Sequence, residues 1–433
     1  MEVRDPVHGS INILDEQIPL IEHPFFNRLR NIKQLGFSEY AFPGATHTRF
    51  IHSIGVMEVA NQCFDKILKK YSKNINSQDL IRIKETFKLS CLFHDIGHAP
   101  LSHSTECRMP MLEHLKLSPD LILGHTKRQA THEDYTLMAI TNSSFTSAFQ
   151  KMQHKFGIDP KAVASLILGK PLIPDYFLIN GMNFFPLLHQ LVSSEIDCDR
   201  MDYLLRDSYF CGVSYGKYDL DWLIDNLEAC PVDGNIVLGI SEKAVSTFDD
   251  FILSRFHMFI MVYFHYRAVC LEQMLVRYFD ESPTEYAIPA DIEQYQKHDD
   301  HYLMSVLRRS KNSWAKMITS NSIPQKIFEN FGGHQDLAQN KLEQLLSSEN
   351  IPFIKCESSS RLSKYYHNED TIGPETSIMV SLSKTISKSV NYIPLNQYTT
   401  LYEKFSKAHS LTRIHCDLSS LSSSMAKAIM DLC

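Results

Sequence analysis

Apolar residues recur every three or four positions through most of the first 280 residues, a spacing typical of amphipathic helices. One such helix is predicted between Arg49 and Lys70. Its apolar stripe consists of Ile54, Met57, Ala60, Phe64, Ile67 and Leu68. A shorter and mostly apolar helical run spans Glu85–Asp95, and we expect Gly97 and Pro100 to stop it.

Two longer helices are predicted farther along the chain. The first spans Phe185–Asp207. Pro186 suits its first turn, because the backbone N–H that proline lacks would have no hydrogen-bond partner within the helix at this position. The second spans Phe248–Phe279 and is very rich in aromatic residues. Both are predicted as continuous helices.

Short apolar runs with a different pattern interrupt the helices. The turn formers Asp233 and Gly234 precede Ile236–Ile240, which predicts one strand of a small hairpin. After Ser282 the chain becomes richer in Ser, Lys, Asn and Gln, and further strands are predicted at Ile351–Cys356, Ser377–Leu382 and Thr412–Cys416. The predicted fold is therefore mainly α, with a helical core over residues 1–280 and a smaller α+β C-terminal region over residues 281–433.

Composition narrows the class of protein. Hydrophobic residues make up 44% of the 433 residues, which is enough for a sizeable core. The net charge of −7 argues against a nucleic-acid partner, which usually requires a basic face. The ten cysteines form no CxxC pair, and no apolar run is long enough to span a bilayer. We expect a cytoplasmic protein with free thiols and no membrane partner.

Four candidate metal ligands lie on predicted helices. His52 occurs in THTRFIHSIG, the pair His94 and Asp95 in CLFHDIGHAPLSH, and Asp199 in SSEIDCDRMDYLLRD. Imidazole nitrogen and carboxylate oxygen together suit borderline or hard divalent cations. Asp95 also follows an apolar run, where a carboxylate is costly unless a partner offsets its charge. With 20 histidines in the chain, a lone histidine–aspartate pair would indicate little, and the joint pattern is the more specific signal.

Longer strings around these residues resemble the dNTP triphosphohydrolase branch of the HD-domain phosphohydrolases, which includes bacterial dGTPase-like enzymes and the mammalian SAM-and-HD-domain dNTPase. The strings are DPVHG, FNRLRNIKQLG, FPGATHTRFIHSIGV, CLFHDIGHAPLSH, THE and IDCDRMDYLLRDSYFCGV. The resemblance extends from Asp5 to Phe279 and implies an HD-domain catalytic core over residues 1–280. It also implies hydrolysis of a dNTP substrate to a deoxynucleoside and triphosphate.

The resemblance implies one divalent metal ion in a His2Asp2 site formed by His52, His94, Asp95 and Asp199. Mn, Fe, Co, Ni, Zn and Mg all stay open as the native ion, and Mg is a further candidate for an ion carried by the nucleotide. Asp197 is the competing fourth ligand. The family pattern places this ligand directly before a basic residue, here Arg200, which favours Asp199.

The resemblance also implies an acid–base group. His103 corresponds to the histidine that protonates the leaving 5′ oxygen, and Glu106 and His132 correspond to groups that orient and charge it. His98 belongs to the same catalytic set. Taken alone, His132 would be interpreted as a solvent-exposed histidine at a helix start, whereas the surrounding pattern favours a functional role.

Substrate contacts follow from the same resemblance. The phosphate contacts are Arg49, His98, Arg200, Tyr203 and Arg255. The contacts to the sugar are Gln34 and Asp207 at the 3′-hydroxyl and Tyr263 beneath the deoxyribose. Arginine more often lies on the solvated surface, and Tyr263 belongs to an aromatic run that would also suit a core. Lysine often stands in the family where this chain has Arg200.

Other functions stay open at this point. One alternative is an HD-domain phosphodiesterase or nuclease acting on another nucleotide, although a GYP-bearing string is missing from the sequence. A second is a non-catalytic nucleotide sensor. The resemblance also raises a nucleotide activator bound near Glu22, Asn27 and Arg30, of which only Arg30 agrees in type, and a homo-oligomer, either dimer or tetramer.

Overall fold

A computed structural model describes residues 1–69, 71, 75–331, 337–360, 377–383, 390–399, 401 and 409–432. Lys70 and Cys433 lie outside this range. In the described part, the helices are α1 (Ile18–Ile21), α2 (Pro24–Asn27), α3 (Arg49–Ile67), α4 (Ser77–Phe93), α5 (His132–Thr141), α6 (Gln150–Phe156), α7 (Pro160–Leu168), α8 (Phe185–Val192), α9 (Cys198–Cys211), α10 (Leu220–Asp225), α11 (Val245–Met258), α12 (Tyr266–Glu281), α13 (Ile292–Tyr295), α14 (Asp300–Arg309), α15 (Ser313–Thr319), α16 (Leu337–Ser348), α17 (Leu395–Tyr398) and α18 (Ser423–Met430). The strands are β1 (Glu2–Asp5), β2 (Gly9–Asn12), β3 (Leu178–Ile179), β4 (Met182–Asn183), β5 (Leu227–Val232), β6 (Asn235–Ser241), β7 (Gln325–Phe331), β8 (Phe353–Ser360), β9 (Met379–Ser383), β10 (Val390–Pro394) and β11 (His409–Cys416).

The fold is mainly α with a mixed α+β C-terminal part, as the sequence predicts. Helix α3 matches its predicted position. Helix α4 begins before the predicted run Glu85–Asp95 and ends at Phe93, so His94 and Asp95 lie in the turn after the helix and not on it as predicted. Each of the three strands predicted after Ser282 overlaps an observed strand. The boundary between residues 280 and 281 stays a prediction.

The predicted continuous helix Phe185–Asp207 is wrong. Helix α8 ends at Val192 and α9 begins at Cys198, with Ser193 in extended conformation between them. Asp197 is the N-cap residue of α9. Its Oδ1 accepts a hydrogen bond from the backbone N–H of Arg200, 2.8 Å away, and the second helix begins there. Pro186 does lie in the first turn of α8. The break leaves Asp199 in the first turn of a new helix.

The predicted continuous helix Phe248–Phe279 is also wrong. Helix α11 passes into a π-helical turn, Phe259–Tyr263, and α12 begins at Tyr266 after an extended His265. The His265 side chain accepts a hydrogen bond from the Arg267 N–H and caps α12. A π-turn rotates the residues that follow it relative to a regular helix, so Tyr263 and Arg255 do not simply continue one helical face.

The predicted hairpin is present as β5 and β6, joined by Asp233 and Gly234, both with positive φ. Strand β6 lies inside a mixed sheet of order β10-β9-β6-β4-β3, to which β5 adds by pairing with β6. A second sheet, of order β7-β11-β8, is antiparallel. Strands near the C-terminus therefore pair with the β5–β6 hairpin and also form a sheet of their own.

Helix α3 lies between α4 and α9 and is buried along most of its length. Its Gly55 permits a very close approach to α9, since a Cβ at this position would lie 2.1 Å from Asp202 Oδ1. The cysteines in the described ranges are free thiols, and most are buried. Over the same ranges, no helix combines the length and the apolar character that a membrane span requires.

Candidate active site

The sequence-predicted site residues converge on one cavity of about 440 Å³ where α3, α9 and the loop after α4 meet. The predicted residues that line it are Gln34, Arg49, His94, Asp95, His98, His103, His132, Asp199, Arg200, Tyr203, Asp207 and Tyr263. The other three lie directly behind this lining. His52 contacts Asp199, Glu106 contacts His103, and Arg255 shares Glu195 with Arg200.

Two histidines and two carboxylates meet at the base of the cavity. Asp199 Oδ1 lies 3.0 Å from His52 Nε2 and 3.4 Å from His94 Nε2. Asp95 approaches the same nitrogens, at 3.5 Å from His52 and 3.2 Å from His94. Nitrogen and oxygen atoms from three separate segments therefore surround one point.

Both histidines are oriented by a contact on the opposite side of the ring. His52 Nδ1 lies 2.7 Å from Asp202 Oδ2, and His94 Nδ1 lies 2.7 Å from the Cys91 carbonyl oxygen. Because these oxygens only accept hydrogen bonds, Nδ1 carries the proton in the neutral form of each ring and Nε2 keeps the lone pair that a metal would need. Both Nε2 atoms are buried and face the Asp95 and Asp199 carboxylates at 3.0–3.5 Å. The donor set thus fits a divalent cation.

The electrostatics also favour positive charge at this point. Burial opposes ionisation, yet hydrogen bonds to Asp199 and Asp202 raise the pKa of His52 to about 9. Burial likewise opposes the charge on His94, yet the field of Asp95 and the bond to Asp199 raise its pKa to about 10. A bound cation would replace these protons, because imidazole must be neutral to coordinate.

Asp197 and Asp199 have different environments. Asp197 accepts hydrogen bonds from the backbone N–H groups of Ser194 and Arg200 and lies away from the two histidines. Burial raises the pKa of Asp197 to about 6, although Arg200 opposes this. Asp199 alone of the two joins the histidine group. The geometry therefore favours Asp199 over Asp197 as the fourth ligand.

A second histidine group lies beside the first. The rings of His98 and His132 stack with centroids 3.9 Å apart, and His103 meets both rings edge-on. Glu106 Oε1 lies 2.5 Å from His132 Nδ1 and 3.2 Å from His103 Nδ1. Burial lowers the pKa of His132, but the Glu106 and Glu133 carboxylates outweigh this and raise it. Burial, Arg49 and His132 hold the pKa of His98 well below its usual range.

Three arginine side chains lie at the cavity lining or directly behind it. Arg200 Nη1 donates to Glu195 Oε2 at 2.7 Å, and Arg255 Nη1 lies 3.7 Å from the same oxygen. Arg49 pairs with Asp95, and its Nε donates to Ser102 Oγ at 2.8 Å. These three guanidinium groups bring N–H donors to the cavity, and each is held in place by a carboxylate.

A polar group of a different kind occupies the end of the cavity near Tyr263. The Tyr263 hydroxyl donates to Asp207 Oδ2 at 2.8 Å, and Asp207 Oδ1 lies 2.8 Å from His47 Nε2. Gln34 Oε1 is buried there and lacks a hydrogen-bond partner in the described part of the chain. The predicted sugar contacts are therefore neighbours in space.

Sequence reasoning missed several residues that support these groups. They are Asp202 behind His52, its partners His8 and Arg206, His47 beside Asp207, Glu195 between two arginines, and Glu272, which accepts a hydrogen bond from Ser104 at the cavity wall. Asp202 had a detectable signal, because it lies one turn after Asp199 and so can share its helical face. Glu195 and Glu272 carried no such signal.

Comparison with known proteins shows which families and relatives this chain resembles. Residues 49–148 match the family described as HD domain, and residues 218–323 match the HD associated region. An uncharacterized protein of Mycoplasma pneumoniae, the MG461 homolog, is 33% identical over 278 residues, covering 62% of this chain and 57% of that protein. Human deoxynucleoside triphosphate triphosphohydrolase SAMHD1 is 25% identical over 369 residues, covering 79% of this chain and 56% of that protein.

The fold also occurs in a solved structure. The crystal structure of a hypothetical protein from Aquifex aeolicus has a TM-score of 0.73 and 24% sequence identity, covering 100% of this chain and 99% of the other. The chain spans a little over half the length of the two sequence relatives named above. Together, the matches extend across both the helical part and the C-terminal part of the chain.

Proposed function

Because this chain carries an HD domain followed by an HD-associated region, we propose that it is a metal-dependent phosphohydrolase that converts a deoxynucleoside triphosphate and water into a deoxynucleoside and triphosphate. The observation that carries this proposal is the convergence of three groups at one cavity: a His2Asp2 donor set, the arginines Arg49, Arg200 and Arg255, and the Asp207–Tyr263 pair. A metal site alone would suit many phosphoesters. The combination of arginines with the Asp207–Tyr263 pair is what narrows the substrate class.

His52, His94, Asp95 and Asp199 would hold the metal ion. When bound, a divalent ion at this site would polarise a phosphoryl oxygen and lower the pKa of a coordinated water. The protein residues then have the tasks of binding, orienting and transferring a proton. Their arrangement is consistent with an attack on the α-phosphorus that breaks its bond to the 5′ oxygen.

The arginines would bind the triphosphate. Arg200 and Arg255 are already oriented by the buried Glu195, so little side-chain entropy would be lost when a phosphate binds. Guanidinium groups present paired N–H donors that match phosphate oxygens. We expect Tyr203 and the neutral His98 to add hydrogen bonds on the same side.

Asp207 and Gln34 would bind the 3′-hydroxyl, which needs both an acceptor and a donor. Tyr263 is fixed by its hydrogen bond to Asp207 and would fill the space beside C2′. A ribonucleotide would have to place its 2′-hydroxyl against this ring and leave it without a partner. We therefore propose that the site selects deoxyribose over ribose.

His103 would deliver the proton to the leaving 5′ oxygen. It is the most exposed member of its histidine group and lies at the cavity wall, and Glu106 Oε1 lies 3.2 Å from its Nδ1. The water oxygen would form the new bond to the α-phosphorus as the bond from phosphorus to the 5′ oxygen breaks. The 5′ oxygen would take the proton of His103, and the proton lost by the attacking water would pass to bulk water.

Incubation of the purified chain with each dNTP and each ribonucleotide, in the presence of Mn²⁺ and other divalent ions, tests the proposal. We expect a deoxynucleoside and intact triphosphate in equal amounts, and little turnover of ribonucleotides. Stepwise loss of single phosphates, or no turnover with any ion, would contradict it. Either outcome would favour another HD-domain phosphodiesterase or a non-catalytic nucleotide sensor.

Replacement of the proposed acid gives a sharper test. We expect His103→Ala to lower kcat by roughly 100-fold or more, the range typical of a lost general acid, with nucleotide binding retained. His114→Ala is the matched control, because its side chain is similarly exposed and lies outside the cavity. Equal activity of His103→Ala and the control would exclude the acid assignment.

A nucleotide activator and a homo-oligomer are further parts of the proposal. Arg30 lies at the surface, where its guanidinium stacks on Phe50 and donates to Asn27 Oδ1 at 2.9 Å. Assays of each dNTP alone and in pairs test for activation. Full activity on single dNTPs without pairwise stimulation would exclude an activator under those conditions.

A further inference from the structure

A second group of metal-binding side chains lies outside the cavity. It consists of Cys270 on α12, Cys356 on β8 and His415 on β11, with exposed fractions of 0%, 1% and 0%. One ligand atom from each residue lies within 4.8 Å of the other two. The three residues are far apart in sequence, so only the tertiary fold brings them together.

The fold fixes this arrangement through two contacts. Strands β8 and β11 are antiparallel with Cys356 opposite Arg413, so His415, two residues on, projects from the same face of the sheet. Helix α12 packs against β8, and Arg277 Nη2 on α12 donates to the Phe353 carbonyl oxygen at 2.6 Å. The helix thereby brings Cys270 over the two strand residues.

The orientation of His415 indicates a missing partner. Its Nδ1 lies 3.1 Å from the Pro324 carbonyl oxygen, which can only accept, so Nδ1 carries the proton. Its Nε2 therefore keeps a lone pair, is buried, and is without a hydrogen-bond partner in the described ranges. A backbone carbonyl behind a histidine is the usual arrangement for a metal-ligating imidazole.

The charge balance also suits a cation. The two negative charges of two thiolates balance the charge of a divalent ion, and the imidazole is neutral, so the complex could be buried without net charge. The neighbouring Arg413 is itself paired with Glu329, its Nε lying 2.7 Å from Oε1.

We propose that Cys270, Cys356 and His415 bind a zinc ion that fastens α12 to the β7-β11-β8 sheet. Thiolate and imidazole ligands select zinc over magnesium, calcium or manganese. Three protein ligands leave one position of a tetrahedral ion for a water or another small ligand. This site has sulfur ligands, whereas the His2Asp2 site has none, so the two sites differ in chemistry.

Cobalt(II) substitution of the full-length chain tests the proposal independently of any hydrolytic activity. After chelation and reduction, titration with Co²⁺ should produce an intense near-ultraviolet sulfur-to-cobalt charge-transfer band, which the His2Asp2 site cannot produce. Cys356→Ser should remove most of this band. Cys416→Ser is the matched control, because Cys416 is equally buried beside His415 on β11 but faces a different apolar cluster. The control should keep the full band.

Alkylation of the wild-type chain provides a second readout that needs no variant to fold. Bound Zn²⁺ should slow alkylation of Cys270 and Cys356 at least tenfold, relative to Cys63, Cys91 and Cys198, as measured by mass spectrometry under mild denaturation. The absence of the cobalt band in reduced protein would overturn the proposal, as would equal protection of all buried thiols. A Cys270–Cys356 disulfide in the freshly purified chain would also overturn it.

Discussion

At the residue scale, the histidine group beside the cavity depends on one carboxylate oxygen. Glu106 Oε1 contacts both His132 and His103, and no other carboxylate among the described residues is as close to His132. Glu133 is farther away, at 3.8 Å, and more exposed. Glu106 is therefore the main carboxylate that keeps His132 protonated as the pH rises.

We predict that Glu106→Gln shifts the descending limb of the kcat/KM profile toward lower pH by about one unit. A charge-assisted hydrogen bond is worth about 1.5–3 kcal/mol, and one pKa unit corresponds to about 1.4 kcal/mol. The pKa of His132 is raised in the folded protein, so its stabilisation is complete below its ordinary value and is lost as pH rises through the raised value. The pKa of Glu106 is lowered, so its stabilisation is lost only in acid.

Glu133→Gln is the control for this shift. It removes a neighbouring negative charge without removing a hydrogen bond to His132, and we expect a smaller displacement. Histidine titrations followed by NMR would show whether the pKa of His132 moves with the kinetic limb. An unchanged limb in Glu106→Gln, or an equal shift in both variants, would contradict the assignment.

The residue behind His52 provides a second prediction. Asp202 is fully buried and accepts hydrogen bonds from His52, from His8 and from both Nε and Nη2 of Arg206. We expect Asp202→Asn to weaken metal affinity about 10- to 100-fold, because the amide supports the coordinating tautomer of His52 less well. Competition with a chelator measures this affinity. Retained fold with unchanged affinity would refute the role, and Asp225→Asn, at an exposed ion pair, serves as the control.

At the scale of elements, the turn after α4 packs directly against α5. A Cβ on Gly97 would lie 2.1 Å from the His132 carbonyl oxygen and 2.4 Å from the Thr136 nitrogen, both backbone atoms. Gly97→Ala must therefore push the turn that holds His94, Asp95 and His98 away from α5. We predict a loss of about 1–3 kcal/mol in unfolding free energy together with a large loss of activity.

Gly124→Ala is the matched control for this substitution. Gly124 has a positive φ and open space around it, so alanine there costs only backbone strain, about 1 kcal/mol. Thermal unfolding and turnover are measured for both variants. We expect the two variants to differ more in activity than in stability. Comparable activity in the two variants would show that the turn can move without harm to the site.

The elements also explain what the sequence could and could not predict. His52, His94 and Asp199 were found because each lies in a short diagnostic string, His52 and Asp199 on helices and His94 directly after one. The two helix breaks were missed because apolar periodicity continues across Ser193–Asp197 and Phe259–Tyr263, although Asp197 carried a capping signal. The partnership of Asp202 with His52 could not be predicted, since it depends on how closely α3 approaches α9 at Gly55.

At the scale of the whole molecule, the proposed metal ligands come from α3, from the turn after α4 and from α9, and so from separate parts of the chain. The unfolded chain cannot bring these ligands together, and a metal ion that binds only the folded state stabilises it by mass action. Removal of the ion should therefore lower the unfolding free energy of the entire chain. The His2Asp2 donors suit manganese, whereas the sulfur site does not.

We predict that Mn²⁺ raises the Tm of chelator-treated protein by roughly 3 °C at 100 times its Kd. Saturation to this degree contributes about 2.7 kcal/mol, and a chain of this length unfolds with an entropy of roughly 0.9 kcal/mol per kelvin. His94→Ala should abolish the rise, because it removes a ligand of the His2Asp2 site. Cys356→Ser should keep it, because that thiol belongs to the sulfur site. A Tm rise that persists in His94→Ala would show that manganese binds elsewhere and would contradict the His2Asp2 assignment. Loss of the rise only in Cys356→Ser would contradict it in the same way.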